Sequence, residues 1–536
     1  MRFTRTCLVS LTTIGALLIP LSLRAAEVAE DEPADAVRMS LSECLGMALE
    51  HNLDLAIAKK DPQIAEYGVT FEKAAFDPLL EAGLNHTALR RETTNTTTVS
   101  PAAPVSTTQS ARTINDSLNG SISQTLSFGA RYTVSVAGST SPGTTNEVFI
   151  PSFPLLYTDT SERPYSWNYG FNFTLPLLRG FGKDVNEASL LIAKRNLSIS
   201  DKELKRRAEL AIQGAEGAYW DLRAAREAQK VAEQALKLSQ DLYDLNKKKV
   251  EVGTLAPIEI TQAEANVASN VEGTIRTKQS VKNAEDNLRL ILAIPENDPI
   301  WTKTLLPTET PMDQQVTTDQ DAAIKTAYDH RPEVATAREQ VEISKISESA
   351  AHNGVKHGLD VTAAWARSHA ESGDAFTYTF PVQPPYTVDT VDRQSPDWRV
   401  GLLYSYPIGN RAAKSNYAIS KINTEKSAIA LESVLQDVRV DVRRSARAVE
   451  SGYERVVAGR KNVELQQKKL DAEQKKFDNG MSTSFEVFTF QTDLRNAQLS
   501  LIQALLDYNK SLVDLERAKG TLLESKGLKL ADDAGR

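Results

Sequence analysis

Two glutamates hold matching positions after two turns of the chain and are the strongest candidates for chemistry. Glu259 and Glu486 each lie six residues beyond a glycine, Gly253 or Gly480, that follows a long helical segment. Rings of acidic side chains favour cations and repel anions. An assembly built by rotation would bring several copies of both glutamates together. The alternative is that both are solvated charges on a helix face.

The remaining residues of catalytic or ligating type show no useful spacing. Of the six histidines, His352 and His357 are five residues apart and lie on different helix faces, which does not fit a metal site. Residues 180–183, Gly-Phe-Gly-Lys, lack the third glycine and the preceding βα context of a nucleotide-binding loop. No Ser-His-Asp arrangement stands out. The sequence therefore predicts no enzyme, no metal site and no cofactor.

The elements that would position the two glutamates occur twice. Residues 249–260 reappear 227 residues later as 476–487, and the same offset holds without a gap from about residue 188 to about 292. A block beginning at Leu45 matches one beginning at Ile324, at an offset of 279. The first copy therefore holds about 52 extra residues between these blocks. One structural unit, much longer than a solenoid repeat, is duplicated.

The first residues have the pattern of a signal peptide, so we expect an exported protein. Arg2 and Arg5 precede an apolar stretch over 8–23 that ends before a small-residue cleavage site. Removal of this segment changes the net charge from −8 to about −11, which argues against a nucleic-acid partner. The mature chain keeps only Cys44, so no internal disulfide is expected. The predicted boundaries are a signal peptide over 1–25, a first repeat over 26–294, a linker over 295–320, a second repeat over 321–522 and a C-terminal tail over 523–536.

Four stretches are rich in helix-forming residues and carry a sustained seven-residue repeat. They are 185–249 and 258–293 in the first repeat, and 412–476 and 485–521 in the second. The seven-residue repeat predicts left-handed coiled-coil packing. At 1.5 Å per residue the first stretch would span roughly 100 Å, and shorter helices over 41–74 and 321–353 would extend the return helices to match it. These lengths predict a long helical barrel.

Between the first helix and the long helix of each repeat, the apolar period changes to two. Membrane strands are predicted over 78–176 and 358–407. No run of about 18 apolar residues follows the signal peptide, so no α-helix is expected to cross a bilayer. Strands of about ten residues, apolar on one side and with aromatic residues at their ends, are typical of transmembrane β-barrels. The predicted membrane-interface aromatics are Trp167, Tyr169, Trp398, Tyr404 and Tyr406.

A soluble sandwich with these aromatics in its core is the alternative, but polar residues alternate with them. The extra length of the first repeat lies in this region, where residues 117–138 alternate over too many positions for one membrane strand. With a turn near 127–129, they form either an added hairpin of the barrel or a projection above it. Two strand pairs cannot close a barrel alone, since about eight strands are the usual minimum. The protomer is therefore expected to oligomerise.

In this order, and duplicated, the elements resemble the TolC-like outer-membrane efflux protein family. The resemblance covers nearly all the mature chain and includes Pro-Leu-Leu-Arg-Gly at 176–180 and Tyr-Pro-Ile-Gly-Asn at 406–410. It implies an α+β membrane protein, a homotrimer whose twelve strands form one transmembrane β-barrel in the outer membrane. A long periplasmic barrel of coiled α-helices would continue it. The implied function is the passive exit duct of a tripartite efflux or type I secretion system, with a periplasmic adaptor and an inner-membrane pump as partners.

The resemblance also implies roles for residues at the two glycine turns. Glu486 matches the first of two gate carboxylates in the family, whereas Thr489 stands in place of the second. The arginine and tyrosine that tie the closed gate in the family fall at Ser482 and Phe477, so the known latch is largely replaced. The implied channel constriction is Glu259, Glu486 and Thr489, and the implied adaptor-docking tips are Gly253, Thr254, Leu255, Gly480, Met481 and Ser482.

A periplasmic coiled-coil adaptor or scaffold is the alternative function. Such a protein also uses long helical hairpins, but it would lack alternating aromatic strands and would rarely duplicate its hairpin. The sequence identifies neither the cargo nor the pump, since a lining rich in Ser, Thr, Asn and Gly selects weakly.

Overall fold

The computed structural model describes residues 36–100, 103–140, 144–150, 155–160, 165–371, 376–377, 386–387 and 395–528. The predicted signal peptide and residues 529–536 of the predicted tail lie outside the described residues. The helices are α1 (Leu41–His51), α2 (Leu53–Ala58), α3 (Lys60–Lys73), α4 (Lys183–Asn186), α5 (Ala188–Glu251), α6 (Ile258–Ile291), α7 (Gln320–His330), α8 (Pro332–Val355), α9 (Arg411–Asp478), α10 (Ser484–Lys519) and α11 (Leu522–Ser525). The strands are β1 (Ala36–Met39), β2 (Leu79–Ser100), β3 (Ala103–Thr125), β4 (Arg131–Thr140), β5 (Thr144–Ile150), β6 (Leu155–Thr160), β7 (Tyr165–Pro176), β8 (Thr304–Pro307), β9 (Gly358–Glu371), β10 (Phe376–Thr377), β11 (Tyr386–Thr387) and β12 (Ser395–Ser405).

Two helices far longer than the others form the frame of the molecule. α5 has 64 residues and α9 has 68, and each turns into its return helix, α6 or α10. These helices form because apolar residues recur at heptad positions among strong helix formers. The buried seam of α10 shows the period: Val487, Leu494, Tyr508 and Leu515. No helix in the described part of the chain is both long and apolar enough to cross a membrane.

The shorter helices are broken at one equivalent point of each repeat, which differs from the continuous helices predicted over 41–74 and 321–353. In the first repeat Asn52 leaves the helical conformation, at φ −56° and ψ 121°, and its side chain caps α2. In the second repeat Arg331 does so, at φ −70° and ψ 128°, because it precedes Pro332. Asn52 and Arg331 lie 279 residues apart, which is the offset of this part of the repeat.

Among the described residues, the largest of three sheets is antiparallel, and six of its strands follow one another in the order β12–β9–β7–β4–β3–β2. β9 pairs directly with β12, whereas β3 and β4 separate β2 from β7. Of the two alternatives for residues 117–138, the added hairpin within the sheet is therefore present. The outer part of β3 continues past it and pairs with β5, which pairs with β6. In the described part of the chain the sheet has eight strands, of which six lie side by side next to the helices, and this differs from the four per copy that twelve strands in a trimer require.

A small two-stranded sheet, β1 with β8, packs against α5 near the middle of that helix, and we call it the belt. β1 pairs in parallel with β8, which belongs to the linker between the repeats. Beside this pair the buried Tyr219 of α5 donates a hydrogen bond to Met39 O at 3.2 Å and accepts one from Glu309 N at 3.1 Å. The belt therefore fastens the start of the first repeat and the linker to the same point of α5.

Candidate functional site

The first candidate feature is the turn that joins α5 to α6. Gly253 adopts a left-handed conformation there, at φ +77°. Gly253 N donates to Val250 O at 2.9 Å, and Thr254 N donates to Lys249 O at 2.8 Å. This pair of hydrogen bonds is a Schellman motif, which satisfies the last carbonyls of a helix and favours glycine. The turn forms a hairpin tip at the end of α5 farthest from the sheet.

The turn between α9 and α10 has the same geometry. Gly480 has φ +73°, and its N–H donates to Phe477 O at 3.1 Å. The next N–H donates to the carbonyl five residues earlier, at 2.9 Å. A difference follows the turn, because Thr483 and Glu486 form a capping box at the start of α10, whereas α6 begins after a proline.

Side chains join the two tips. Lys249 Nζ donates a hydrogen bond to Phe477 O at 3.1 Å and lies 3.8 Å from the centroid of the buried Phe477 ring. Ser484 Oγ, on α10, donates a hydrogen bond to the carboxylate of Glu259 on α6. Each contact connects the first hairpin to the second, so one protomer holds its two tips as a unit.

Sequence reasoning missed Lys249 as a site residue. Its repeat equivalent, Lys476, forms an ion pair with Glu473 at 3.0 Å on the same helix, so the same residue type has different roles in the two repeats. The signal in the sequence was Phe477, which the family resemblance matches to a latch tyrosine. A phenylalanine ring attracts a cation but has no hydroxyl to donate.

Glu486 is exposed and has hydrogen-bond partners within its own tip. Its carboxylate lies 2.7 Å from Ser482 Oγ and accepts a hydrogen bond from Thr483 N at 3.4 Å. Ser482 Oγ also lies 2.6 Å from a carboxylate oxygen of Glu473. That hydrogen bond, together with one from Lys476, holds the pKa of Glu473 below its usual value. Two carboxylates therefore meet at one hydroxyl beside the second tip.

The other predicted constriction residues lie near the start of the return helices, Glu259 in the first turn of α6 and Thr489 in the second turn of α10. Glu259 is half-buried, and Asn246 Nδ2 donates to its backbone carbonyl at 3.4 Å. Thr489 Oγ1 donates to Phe485 O at 2.9 Å. Glu259 is held by the other hairpin, whereas Glu486 caps its own helix. A ring of these carboxylates requires copies from more than one protomer.

The sheet presents a different chemistry on each face. One face carries a row of apolar residues that pair in sequence across all six strands: Leu80, Ile122, Val134, Phe171, Trp365 and Trp398. The adjacent row on the other face is small or polar: Glu81, Ser121, Ser135, Gly170, Ala366 and Asp397. The apolar row is open, with Leu80 72% and Trp398 78% exposed. Lipid on one face and water on the other would satisfy both rows.

The predicted membrane-interface aromatics share the apolar face. Trp167 and Tyr169 lie toward the end of β7 away from the helices, and Trp398 lies within β12. At the helix end of the sheet, His357 Nδ1 lies 2.6 Å from Tyr404 Oη, and its ring stacks on Tyr406 with centroids 4.1 Å apart. Within the described residues no second layer covers this face, which argues against the soluble sandwich.

Comparison with known proteins supports the same architecture. A family model described as outer membrane efflux protein matches residues 132–293 and 323–521, more than half of the chain. The solved structure of the Campylobacter jejuni CmeC outer membrane channel is similar, with 14% identity over 92% of this chain and 87% of that chain, and a TM-score of 0.60. The outer membrane protein VceC from Vibrio cholerae is 13% identical over 90% of this chain and 96% of that chain, with a TM-score of 0.59.

The Neisseria gonorrhoeae MtrE outer membrane channel is 18% identical over 90% of this chain and 89% of that chain, with a TM-score of 0.58. At these identities the likeness shows the α+β fold. No curated protein matches the chain. The family model, in contrast, matches both repeats. The chain therefore belongs to the outer membrane efflux protein family, with its sheet in the outer membrane and its helices in the periplasm.

Proposed function

We propose that this protein is the exit duct of a tripartite efflux or type I secretion system, which conducts substrates passively across the outer membrane. The apolar row that crosses all six strands, backed by a row of small and polar residues, carries the proposal. Such a sheet is suited to lipid on one side and water on the other, as in the wall of an aqueous channel. Neither catalysis nor a cofactor enters this function.

A homotrimer is proposed because both flanks of the protomer are unfinished. In the described part of the chain β2 and β12 each have one unpaired edge, and an unpaired edge in lipid is costly. β2 runs away from the helices and β12 runs toward them, so pairing between copies would be antiparallel like every other pairing in the sheet. Three copies would then close one barrel, as the family resemblance implies.

The helices beneath the sheet support the same assembly. α2 and α3 pack on α5 at one flank, and α9 packs on α8 at the other. Both flanks expose apolar side chains, which are Leu53, Ile57, Ile64, Tyr67 and Phe71 on α2 and α3, and Ile419, Ile422 and Ile429 on α9. Exposed apolar stripes of this extent indicate a protein partner, and a second copy of the chain would cover them.

The two hairpin tips are proposed to dock a periplasmic adaptor that links the duct to an inner-membrane pump. The 64 residues of α5 place the tips roughly 100 Å from the sheet. Exposed apolar side chains surround both turns, which is unusual for a solvated loop: Val252, Ile258, Met481 and Phe485. The proposed docking residues are Gly253, Thr254, Leu255, Gly480, Met481 and Ser482.

Glu259, Glu486 and Thr489 are proposed to line the periplasmic mouth of the duct. Three copies would bring six carboxylates to this level, and an acidic ring favours cations over anions. The contact of Lys249 with Phe477 ties the two hairpins of one protomer together. Widening of the mouth therefore requires movement between protomers or loss of this contact.

The alternative function, a periplasmic adaptor or scaffold, gives the exposed apolar face of the sheet no purpose. One experiment separates the two functions. The protein should be found in the outer-membrane fraction, migrate as a heat-sensitive trimer in mild detergent and form channels in planar bilayers. A soluble periplasmic protein without channel activity would support the adaptor. A monodisperse monomer that still inserts into bilayers would refute the trimer.

A further inference from the structure

The two repeats build the sheet differently. In the second repeat β9 and β12 are direct neighbours, whereas β3 and β4 lie between their equivalents in the first, β2 and β7. β4 pairs with β3 over ten positions and with β7 over ten positions. Tilted strands of about 9–11 residues cross a bilayer. The inserted strands are therefore as long as the membrane requires.

The inserted strands, β3 and β4, also have one apolar face and one face of small and polar residues, as the strands of a barrel wall do. Ile122 and Val134 belong to the apolar row, and Ser121 and Ser135 belong to the row of small and polar residues. Ile122 is 43% and Val134 is 47% exposed, close to the 38% of Phe171 on the next strand. Because a shift of one residue exchanges the two faces of a strand, this register places β3 and β4 in the same wall as their neighbours.

We infer that the membrane barrel has eighteen strands, six from each of three copies, and that its lumen admits cargo as wide as two packed helices. The inference rests on the proposed trimeric duct. An even number of strands per copy keeps the antiparallel order across every seam between copies. Barrels of 16–18 strands enclose an aqueous channel, whereas about eight strands are filled by their own side chains.

The strand number determines the width of the lumen. Strands spaced by about 4.8 Å and tilted by about 40° each occupy roughly 6.3 Å of the circumference. Twelve strands then form a cylinder about 24 Å across, and eighteen form one about 36 Å across. Inward side chains reach about 5 Å from each wall, which leaves about 14 Å or about 26 Å. An α-helix is about 10–12 Å wide, so the narrower lumen passes one helix and the wider lumen passes two.

The helical part of the duct has a matching width. Next to the sheet each protomer supplies four helices side by side, α3, α5, α8 and α9, so three copies supply twelve. Helix axes about 8–10 Å apart give a circumference of roughly 96–120 Å. Eighteen strands give roughly 113 Å, whereas twelve give roughly 75 Å. The inserted strands therefore continue the helical tunnel into the membrane without narrowing it.

Single cysteines test whether β3 and β4 belong to the wall. Val134→Cys and Ser135→Cys lie on opposite faces of β4, and Ile122→Cys and Ser121→Cys do so on β3. The matched control is Val361→Cys with Thr362→Cys on β9, a strand common to both repeats. The native Cys44 does not interfere, since it is buried and burial raises its pKa to about 12.

A charged, water-soluble thiol reagent should distinguish the two faces in outer-membrane trimers. We expect the Ser121, Ser135 and Thr362 variants to react at similar rates, and their neighbours at 122, 134 and 361 to react at least about tenfold more slowly. Equal reaction of both members on β3 and β4, while the β9 pair is still distinguished, would place the hairpin outside the wall and overturn the inference.

Neutral polymers test the width. A polymer about 20 Å in diameter, added from the strand side of a planar bilayer, should enter eighteen strands and lower the single-channel conductance, but twelve would exclude it. Polymers of about 10 Å and about 40 Å serve as the entering and excluded controls. Exclusion of the 20 Å polymer would overturn the inferred width. Both tests need only insertion, so lost export with an intact thiol pattern would refute the proposed function alone.

Discussion

Lys249 Nζ lies 3.8 Å from the centroid of the Phe477 ring and donates a hydrogen bond of 3.1 Å to the Phe477 carbonyl. The lysine is in the last turn of α5 and the phenylalanine is in the last turn of α9, so this pair connects equivalent ends of the two repeats. A cation over a buried ring contributes about 2 kcal/mol, and its hydrogen bond to the carbonyl adds to this. The first hairpin is thus held to the second by a cation–π contact and a hydrogen bond between Lys249 and Phe477.

Loss of the lysine charge should loosen the periplasmic mouth. Lys249→Met keeps an unbranched aliphatic side chain but loses the cation and the hydrogen bond, so the two hairpins should separate more readily. We expect a higher resting conductance in planar bilayers. The control is Lys476→Met, which removes only an ion pair within α9 and should leave the conductance unchanged. Equal conductance of both variants would contradict a tie at Lys249.

The carboxylates at the tips should bind divalent cations that block the current. Six like charges in a narrow ring repel one another, and a divalent cation relieves that repulsion. Glu486→Gln should reduce the block more than Glu450→Gln, a change at an exposed glutamate in the middle of α9. Low pH should weaken the block by protonating the ring. An unchanged block in the Glu259→Gln, Glu486→Gln double variant would show that both residues are solvated bystanders.

The glycine turns should be essential for export but not for insertion. A Cβ on Gly253 or Gly480 meets no atom within 4 Å, yet both residues have positive φ, so valine would be strained and would reshape the tip. The strain is about 1–2 kcal/mol, too small to unfold the protein. Gly253→Val and Gly480→Val should lose export and keep trimer formation. Gly273→Val, in the body of α6, has the same free space without the positive φ and should export normally. Normal export by both tip variants would argue against docking there.

The apolar flank of α3 should be needed for the trimer. Ile64 and Phe71 are 67% and 76% exposed in one protomer, and a neighbouring copy would bury them. Ile64→Glu with Phe71→Glu would place two carboxylates in that seam, which is costly without partners. The detergent-purified variant should dissociate to monomers on native gels. Glu66→Gln, on a different face of α3, is the control, and a stable trimer of the double variant would place the seam elsewhere.

Glu209 should make the stability of the helical part depend on pH. It is 3% exposed on α5, and burial raises its pKa from 4.5 to about 7, although Lys205 lies 3.9 Å away. The folded state therefore holds this proton more tightly than the unfolded state. Its contribution to stability is complete below about pH 4.5 and is lost as the pH rises to about 7, by at most about 3 kcal/mol.

Glu209→Gln cannot ionise, so the variant separates this effect from other titrations. Its midpoint of thermal unfolding, followed by circular dichroism, should be close to that of the wild type at about pH 5 and higher at about pH 8. If the midpoint of the wild type rose relative to that of the variant between about pH 5 and about pH 8, the raised pKa of Glu209 would be contradicted.

The long helices and their return helices were predictable from the sequence. Because the unit is duplicated, a helix predicted in one repeat can be checked at the matching positions of the other. The break at Arg331 could also have been predicted, since Pro332 follows it, and the offset of 279 then transfers the break to Asn52, where no proline marks it. The position of β3 and β4 could not be predicted. Apolar and polar residues alternate in the same way in a strand of the barrel wall and in a strand that projects above the barrel. Only the pairing of Ile122 with Val134 and its neighbours shows that both strands belong to the same sheet as β2 and β7.

The contact between Lys249 and Phe477 was beyond sequence reasoning for a different reason. It depends on how one hairpin is rotated against the other, and heptad patterns define the buried face of a helix without the partner of each exposed side chain. The repeat even obscured it, because Lys476 matches Lys249 in sequence and pairs with Glu473 instead. The glycines that end a helix, Gly253 and Gly480, could be predicted from the sequence. The contact of Lys249 with Phe477 could not, because it joins two helices that are distant in sequence.

The parallel pairing of β1 with β8 has a consequence for how the chain folds during its delivery. Ala36 pairs with Thr304, a separation of 268 residues. Contacts between such distant segments form slowly, since the intervening chain must first lose its freedom. A polypeptide that enters the periplasm from its N-terminus holds β1 unpaired until the whole first hairpin and part of the linker have followed. The first repeat therefore completes its fold only when the linker has entered the periplasm and the second repeat begins to follow. The pairing of β1 with β8 thus sets the earliest time at which the first repeat can be fully folded.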